Sequence, residues 1–238
     1  MERAEFQLTN GQPKIVGSFG SPHDLAEADS SAVRDVCDLA EIRLDLLMAE
    51  SGAAEPAQWS HLHGLPLLFT ARRQDEGGAG ALNPAQRMAL LESALDHAAC
   101  IDLEVASIGE MGAFLKTLET RGIPWIASFH DFEKLPDRAT LEAAARRAQD
   151  AGASVFKAAA RLHQAADLAR LAEFQLAEHG LRVATMGMGP LAPVSRLLCA
   201  QCGSVLNYGY LGATPTAPGQ WDAALLKQAI ARLTPLRA

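Results

Sequence analysis

The feature that most restricts the fold is an alternation. Short apolar runs rich in β-branched residues, bounded by Gly, Pro or polar positions, are each followed by a longer stretch with the spacing of an amphipathic helix, and the pair recurs eight times. The runs are Lys14–Phe19, Ala40–Leu44, Pro66–Thr70, Cys100–Glu104, Trp125–Phe129, Ser154–Lys157, Arg182–Met186 and Ser204–Tyr208. Their spacing of roughly 25 to 30 residues is that of one βα unit. Between them Asn83–Ala99, Thr140–Ala151 and Leu162–Ala177 read as helices, with Pro84 just inside a start and Gly152 or Gly180 as a stop. No Pro/Gly/Ser-rich linker interrupts the series, which predicts one α/β domain over residues 1–238, a single (β/α)8 TIM barrel, with a doubly wound open sheet as the second choice.

Composition then removes whole classes of function. Hydrophobic residues make up 49% and charged residues 21% of the 238, so a core can be buried and disorder is excluded. A net charge of −7 and the absence of any Lys/Arg block argue against nucleic acid as a partner. The amino terminus has acidic residues and no apolar run of the length a signal peptide needs, and nowhere do about 18 apolar residues run together, which predicts a cytoplasmic protein without a membrane partner. Cys37, Cys100, Cys199 and Cys202 read as packing thiols, and the Cys199–Cys202 pair lacks the second ligand pair that a zinc site needs. Neither GxGxxG nor GxxxxGK[ST] occurs, so no nucleotide cofactor is expected; His61 and His63 lie in a connection, so no metal is expected either.

In a barrel the chemistry sits at the carboxyl ends of the strands, and polar residues collect there in this chain. Glu41 and Arg43 stand at i, i+2 on one face of their strand, with Asp45 beyond; Asp102 and Glu104 repeat the pattern. Thr70-Ala71-Arg72 leads into Glu76-Gly77-Gly78, a charged pair feeding a flexible loop. Buried charge is costly unless paired or used, so its arrival from several successive strands predicts a polar cavity. Six of the seven histidines fall in helices or connections, whereas His130 sits where its strand opens toward the active face and can serve as base and acid in one cycle. Lys157, one of five lysines against sixteen arginines, ends an apolar strand; desolvation there would favour the nucleophilic amine, and an ion pair with Glu104 or Asp102 is the alternative. Arg196, after the seventh strand, is the natural anchor for a substrate carboxylate.

Taken together, Glu41-Ile42-Arg43-Leu44-Asp45, Thr70-Ala71-Arg72 with Glu76-Gly77-Gly78, Asp102-Leu103-Glu104, Ser128-Phe129-His130-Asp131-Phe132, Phe156-Lys157, Met186-Gly187-Met188 with Ser195-Arg196, and Ala217-Pro218-Gly219-Gln220 resemble, in order and spacing, type I 3-dehydroquinate dehydratase. The resemblance runs from Pro13 through Gln220. It implies a lyase of the shikimate pathway, serving aromatic amino acid biosynthesis, that removes water from 3-dehydroquinate through a Schiff base and works as a homodimer without a cofactor. Lys157 then matches the imine-forming lysine, His130 the general acid and base, and Glu76 the carboxylate that supports it. Glu41, Arg43, Arg72 and Ser18 match pocket positions, and Arg196 and Gln220 the groups that hold the substrate carboxylate, with Thr216 in place of a more usual serine. Ala192, between Pro190 and Pro193, replaces a glycine and predicts a differently shaped loop after the seventh strand; the glycine-bearing segments Gly77–Gly80 and Gly209–Gly219 are candidate lids. Two other readings stand beside this one: a class I Schiff-base aldolase on the same barrel, and a non-catalytic barrel that binds a hydroxylated cyclic acid.

Overall fold

The computed structural model describes residues 6–8 and 13–236. All eight expected strands form: β1 (Lys14–Phe19), β2 (Leu39–Arg43), β3 (Leu67–Thr70), β4 (Ala98–Glu104), β5 (Trp125–Asp131), β6 (Val155–Arg161), β7 (Arg182–Met188) and β8 (Leu206–Leu211). They make one parallel sheet in the order β7-β6-β5-β4-β3-β2-β1-β8. Six registered pairs join β1 to β8, from Lys14↔Leu206 to Phe19↔Leu211, and just before β8 the Val205 N–H reaches the Val183 carbonyl of β7 at 3.1 Å. The sheet is therefore a nearly closed barrel, and the open doubly wound alternative is excluded because its first strand would lie inside the sheet between others rather than against the last. Amino-terminal residues 1–5 and 9–12, and residues 237–238, lie outside the described residues.

The connecting helices are α1 (Pro22–Ala26), α2 (Ser30–Val36), α3 (Leu44–Ser51), α4 (Pro84–Ala94), α5 (Gly112–Arg121), α6 (Arg138–Asp150), α7 (Ala165–Leu176), α8 (Ala192–Gln201) and α9 (Ala223–Ile230). Local chemistry sets their ends. Asn83 caps α4 by accepting the Gln86 N–H while Gln86 returns a bond to the Asn83 N–H, with Pro84 in the first turn. That helix stops at Ala94, not Ala99: the residues from Ala98 onward enter β4, where burial on both faces suits Ala98-Ala99-Cys100-Ile101 better than a solvent-facing helix. Likewise β5, β6 and β8 run past their expected ends to Asp131, Arg161 and Leu211, so Gly209 belongs to a strand and not to the loop after it. A side chain at Gly209 would collide with the backbone of Ala223, so glycine there lets α9 lie close on the sheet.

Period-two alternation turns each strand into a stack of interior positions. The lowest layer takes one apolar residue from every strand: Val16, Leu39, Leu68, Cys100, Ile126, Val155, Ala184 and Leu206, with Phe6 and Leu8 packed against it. Two residues further along, the interior positions are Ser18, Glu41, Thr70, Asp102, Ser128, Lys157, Met186 and Tyr208, all buried and mostly polar. The odd partners of these positions, such as Ile42, Phe69, Leu103 and Phe156, face outward into the larger core beneath the helices. The switch from an apolar to a polar layer marks where the packed barrel ends and the site begins.

Candidate active site

A single cavity of about 530 Å³, its open mouth included, is lined by Ser18, Glu41, Arg43, Arg72, Glu76, His130, Lys157, Arg196, Thr216 and Gln220. Every site residue expected from the sequence is thus brought to one place. Its wall is of the small-molecule kind, concave with convergent polar groups. Gly77, Phe132, Ala159, Met186, Met188, Tyr208 and Ala217 complete the wall. Met186 and Met188 belong to a motif already singled out in the sequence, without a place in the pocket; Tyr208 was not, because an aromatic residue at a strand end looks like core, and its period-two spacing from Leu206 is the signal that places it inside.

Lys157 stands in the polar layer of β6. Its Nζ donates to Asp102 Oδ2 at 2.7 Å and lies 4.4 Å from the centre of the Tyr208 ring. Of the two carboxylates considered as partners, Asp102 is the one used. Glu104 lies one interior position further along β4 and is taken by arginines: Arg72 Nη1 at 3.0 Å, and Arg87 of α4. Arg72 also reaches Asp102 Oδ1 at 2.9 Å and the Ser128 Oγ at 2.6 Å. Burial alone would raise the Asp102 carboxyl, but Arg72 and Lys157 hold it well below the usual range. Arg72, expected to face substrate hydroxyls, is therefore committed to two acidic side chains while its edge lines the cavity. Arg87 was not foreseen, since only the fold brings a helix arginine under the strand end.

His130 lies on the same face of β5, one interior position beyond Ser128. Its Nδ1 and its backbone N–H both sit 2.9 Å from Glu76 Oε2. Burial, then the Arg72 and Lys157 cations, hold the imidazole well below its ordinary 6.5, so the ring is neutral. Burial pushes Glu76 up to about 7, with Arg72 opposing and Glu104 adding to the rise. Glu76 ends a short 3₁₀ turn, Gln74–Glu76. The loop that follows is fastened down, contrary to its expected flexibility. Asp45 Oδ1 accepts the Arg72 N–H at 3.2 Å, its Oδ2 accepts the Ala79 N–H at 2.9 Å, and Arg43 Nη2 donates to the Gly77 carbonyl at 3.3 Å. Arg43 is itself gripped by both Asp45 oxygens, at 2.8 and 2.6 Å, rather than sitting free beside Glu41. Glu41 accepts from Ser18 at 2.5 Å and from Thr70 at 2.8 Å.

Across the cavity Arg196, projecting from α8, is almost fully buried, yet no acidic side chain among the described residues pairs with it. Its Nη1 donates to the Tyr208 carbonyl at 2.8 Å and its Nε has no partner among them. Burial draws its pKa down to about 10. Gln220 turns its Oε1 to the N–H and hydroxyl of Thr216, both at 2.8 Å, which leaves the amide N–H groups free to donate. The two loops are joined: the Gly189 N–H bonds the Pro218 carbonyl at 3.1 Å, and the Trp221 Nε1 bonds the Pro193 carbonyl at 3.1 Å. Ala192 opens α8 with Pro193 behind it, so the substituted loop after β7 enters a helix directly.

A buried lysine, a neutral histidine seated on a carboxylate and an arginine without an acidic partner now share one pocket. The family model for type I 3-dehydroquinase matches residues 19–235. The chain belongs to the type I 3-dehydroquinase family. The 3-dehydroquinate dehydratase of Desulfotalea psychrophila is 34% identical over 226 residues, covering 92% of this chain and 97% of its own length. That of Haloquadratum walsbyi is 33% identical over 218 residues, covering 87% and 89%. The solved 3-dehydroquinate dehydratase of Enterococcus faecalis superposes with a TM-score of 0.80 at 25% identity, covering 96% of this chain and 97% of its own. Family membership sets aside the aldolase and binding-only readings. All four cysteines are buried free thiols, and burial pushes Cys37 and Cys199 up to about 12, as packing residues require. Among the described residues no group of three or more His, Cys, Asp or Glu is placed to hold a metal ion, and no helix is long and apolar enough to cross a membrane.

Proposed function

We propose that the chain dehydrates 3-dehydroquinate to 3-dehydroshikimate through an imine on Lys157, with His130 as acid and base and Glu76 orienting it. As a type I 3-dehydroquinate dehydratase it is a hydro-lyase. The observation that carries the residue roles is the sharing of one small pocket by Lys157 and the Glu76–His130 pair. Loss of water beside a ketone needs an electron sink and a proton shuttle, and these groups supply both.

Lys157 passes a proton to the neutral imidazole, and its lone pair attacks the ketone carbon; the oxygen takes protons by way of His130 and leaves as water, giving an iminium. His130 then removes a proton from the adjacent carbon. The resulting enamine expels the hydroxyl on the next carbon as His130 returns that proton to the departing oxygen. One shuttle on one face of the ring makes the elimination syn. Addition of water to the conjugated iminium releases the product and the Lys157 amine. Arg196, whose guanidinium lacks an acidic partner, and the free amide of Gln220 hold the substrate carboxylate, so that ketone and proton are presented together. Ser18, Glu41, Arg43, Arg72 and Thr216 shape the wall around the ring hydroxyls. No cofactor takes part in this scheme.

In this reading the whole chain is one catalytic domain of the shikimate pathway, working in the cytoplasm as a homodimer; sedimentation of the purified chain checks the last point. The decisive experiment mixes the protein with 3-dehydroquinate, adds borohydride, and maps the modified peptide. A reduced adduct on Lys157 is expected, together with a conjugated enone product in the untreated reaction. A folded chain that forms enone without any Lys157 adduct would overturn the imine.

A further inference from the structure

Tyr208 occupies the polar layer of β8, where its ring lies across from Lys157 Nζ at 4.4 Å. Its hydroxyl is buried and has no hydrogen-bond partner among the described residues. Phenylalanine would fill the same slot without stranding a donor, and a buried unpaired hydroxyl lowers stability. Charged and titratable groups face the phenol from across the barrel: Asp102 and Cys100 of β4, Glu41 of β2, Arg72 just past β3, and Lys157 of β6, whose Nζ lies over the ring. Burial, then the Asp102 and Glu41 carboxylates, hold the phenol well above its ordinary 10, so it keeps its proton and is available only as a neutral donor or acceptor.

Asp102 is the group whose bonding must change during the reaction. Its Oδ1 is held by Ser128 at 2.6 Å and by Arg72 at 2.9 Å, but its Oδ2 is held by Lys157 at 2.7 Å. When Nζ turns to the substrate ketone, Oδ2 loses that donor and stays buried and charged. We infer that Tyr208 is a positioning residue for imine formation, its hydroxyl donating to the Asp102 carboxylate as Lys157 leaves it. No covalent bond to Tyr208 forms or breaks. The phenol rotates its O–H, and the ring face continues to meet the cationic nitrogen of the iminium. The inference rests on Lys157 as the imine-forming residue.

The test compares wild type with Tyr208→Phe in single-turnover mixing with 3-dehydroquinate, quenched with borohydride at successive times, alongside KM and thermal unfolding. Imine formation is expected to slow about tenfold, with KM changed by less than about twofold and a melting temperature equal to or above that of wild type. Equal rates of imine formation in the two proteins would overturn the role of Tyr208. So would a lower melting temperature in Tyr208→Phe, because the hydroxyl would then be paired in the resting fold. Absence of any adduct in wild type would instead overturn the Lys157 reading, and this inference with it.

Discussion

The imidazole Nδ1 of His130 and the backbone N–H of the same residue converge on one oxygen of Glu76, each at 2.9 Å. Two donors on a single oxygen fit an ionised carboxylate, and they fix both the ring's orientation and its tautomer. With the proton on Nδ1, Nε2 carries the lone pair. If Glu76 is protonated it can donate to Nδ1 instead, which moves the ring proton to Nε2 and removes the base.

That switch sets a pH dependence. Burial raises Glu76 to about 7, so below that value the carboxyl is protonated and His130 is in the wrong tautomer. kcat is therefore expected to rise with pH through about 7 with a one-proton slope. Glu76→Gln, which still accepts from Nδ1–H but does not titrate, should retain reduced activity and lose that limb. A pH–rate profile on both proteins checks this, and an unchanged acidic limb in the variant would assign the titration elsewhere.

Lys157 and His130 should fail in different ways. Lys157→Ala should form no borohydride-trapped adduct. His130→Ala should still form one but stall at proton transfer and imine hydrolysis, with kcat reduced by about 10²–10⁴-fold. Intact mass of the quenched proteins decides between them, since equal loss of adduct in both variants contradicts this division of labour.

Arg196 trades stability for binding. A buried guanidinium with no acidic partner among the described residues is costly in the empty site and is repaid when a carboxylate arrives. Arg196→Met should leave the melting temperature unchanged or higher while raising KM by about 100-fold, with a smaller effect on kcat. Differential scanning calorimetry beside steady-state kinetics measures both, and a large fall in melting temperature would show that the bond to the Tyr208 carbonyl outweighs the charge.

Asp102 works in the opposite sense. Its carboxyl lies below its unfolded value because Arg72 and Lys157 overcome the effect of burial, so it stabilises the fold above about pH 4 and that contribution is lost as pH falls further. Asp102→Asn strands two buried cations and should cost about 3–5 kcal/mol at pH 7. The gap between wild type and variant should narrow in acid. Urea unfolding at neutral and acid pH tests the sign, and a gap that widens in acid would refute it.

Much of this could be read from the chain itself. Eight strand–helix alternations are a local signal, because the apolar runs and the caps that begin helices act over a few residues. So are the pairs Glu41/Arg43 and Asp102/Glu104, whose period-two spacing puts both members inside. Errors fell at boundaries such as Ala98, where an apolar stretch fits a helix end and a buried strand equally well, and at the Gly77–Gly80 loop, whose glycines suggest freedom until Asp45 is seen to hold its backbone.

The sequence by itself determined which side chains would reach the mouth of the barrel, since alternation along a strand follows from backbone geometry alone. Tertiary structure decided how they pair. Arg43 turned to Asp45, Arg72 and a helix arginine, Arg87, took Glu104, Lys157 took Asp102, and Arg196 was left without an acid among the described residues. Those outcomes depend on closure of the sheet, which sets β8 beside β1 and points residues far apart in the chain at a common interior. Coulombic attraction then selects partners by distance and burial, and neither is a property of any short stretch of sequence.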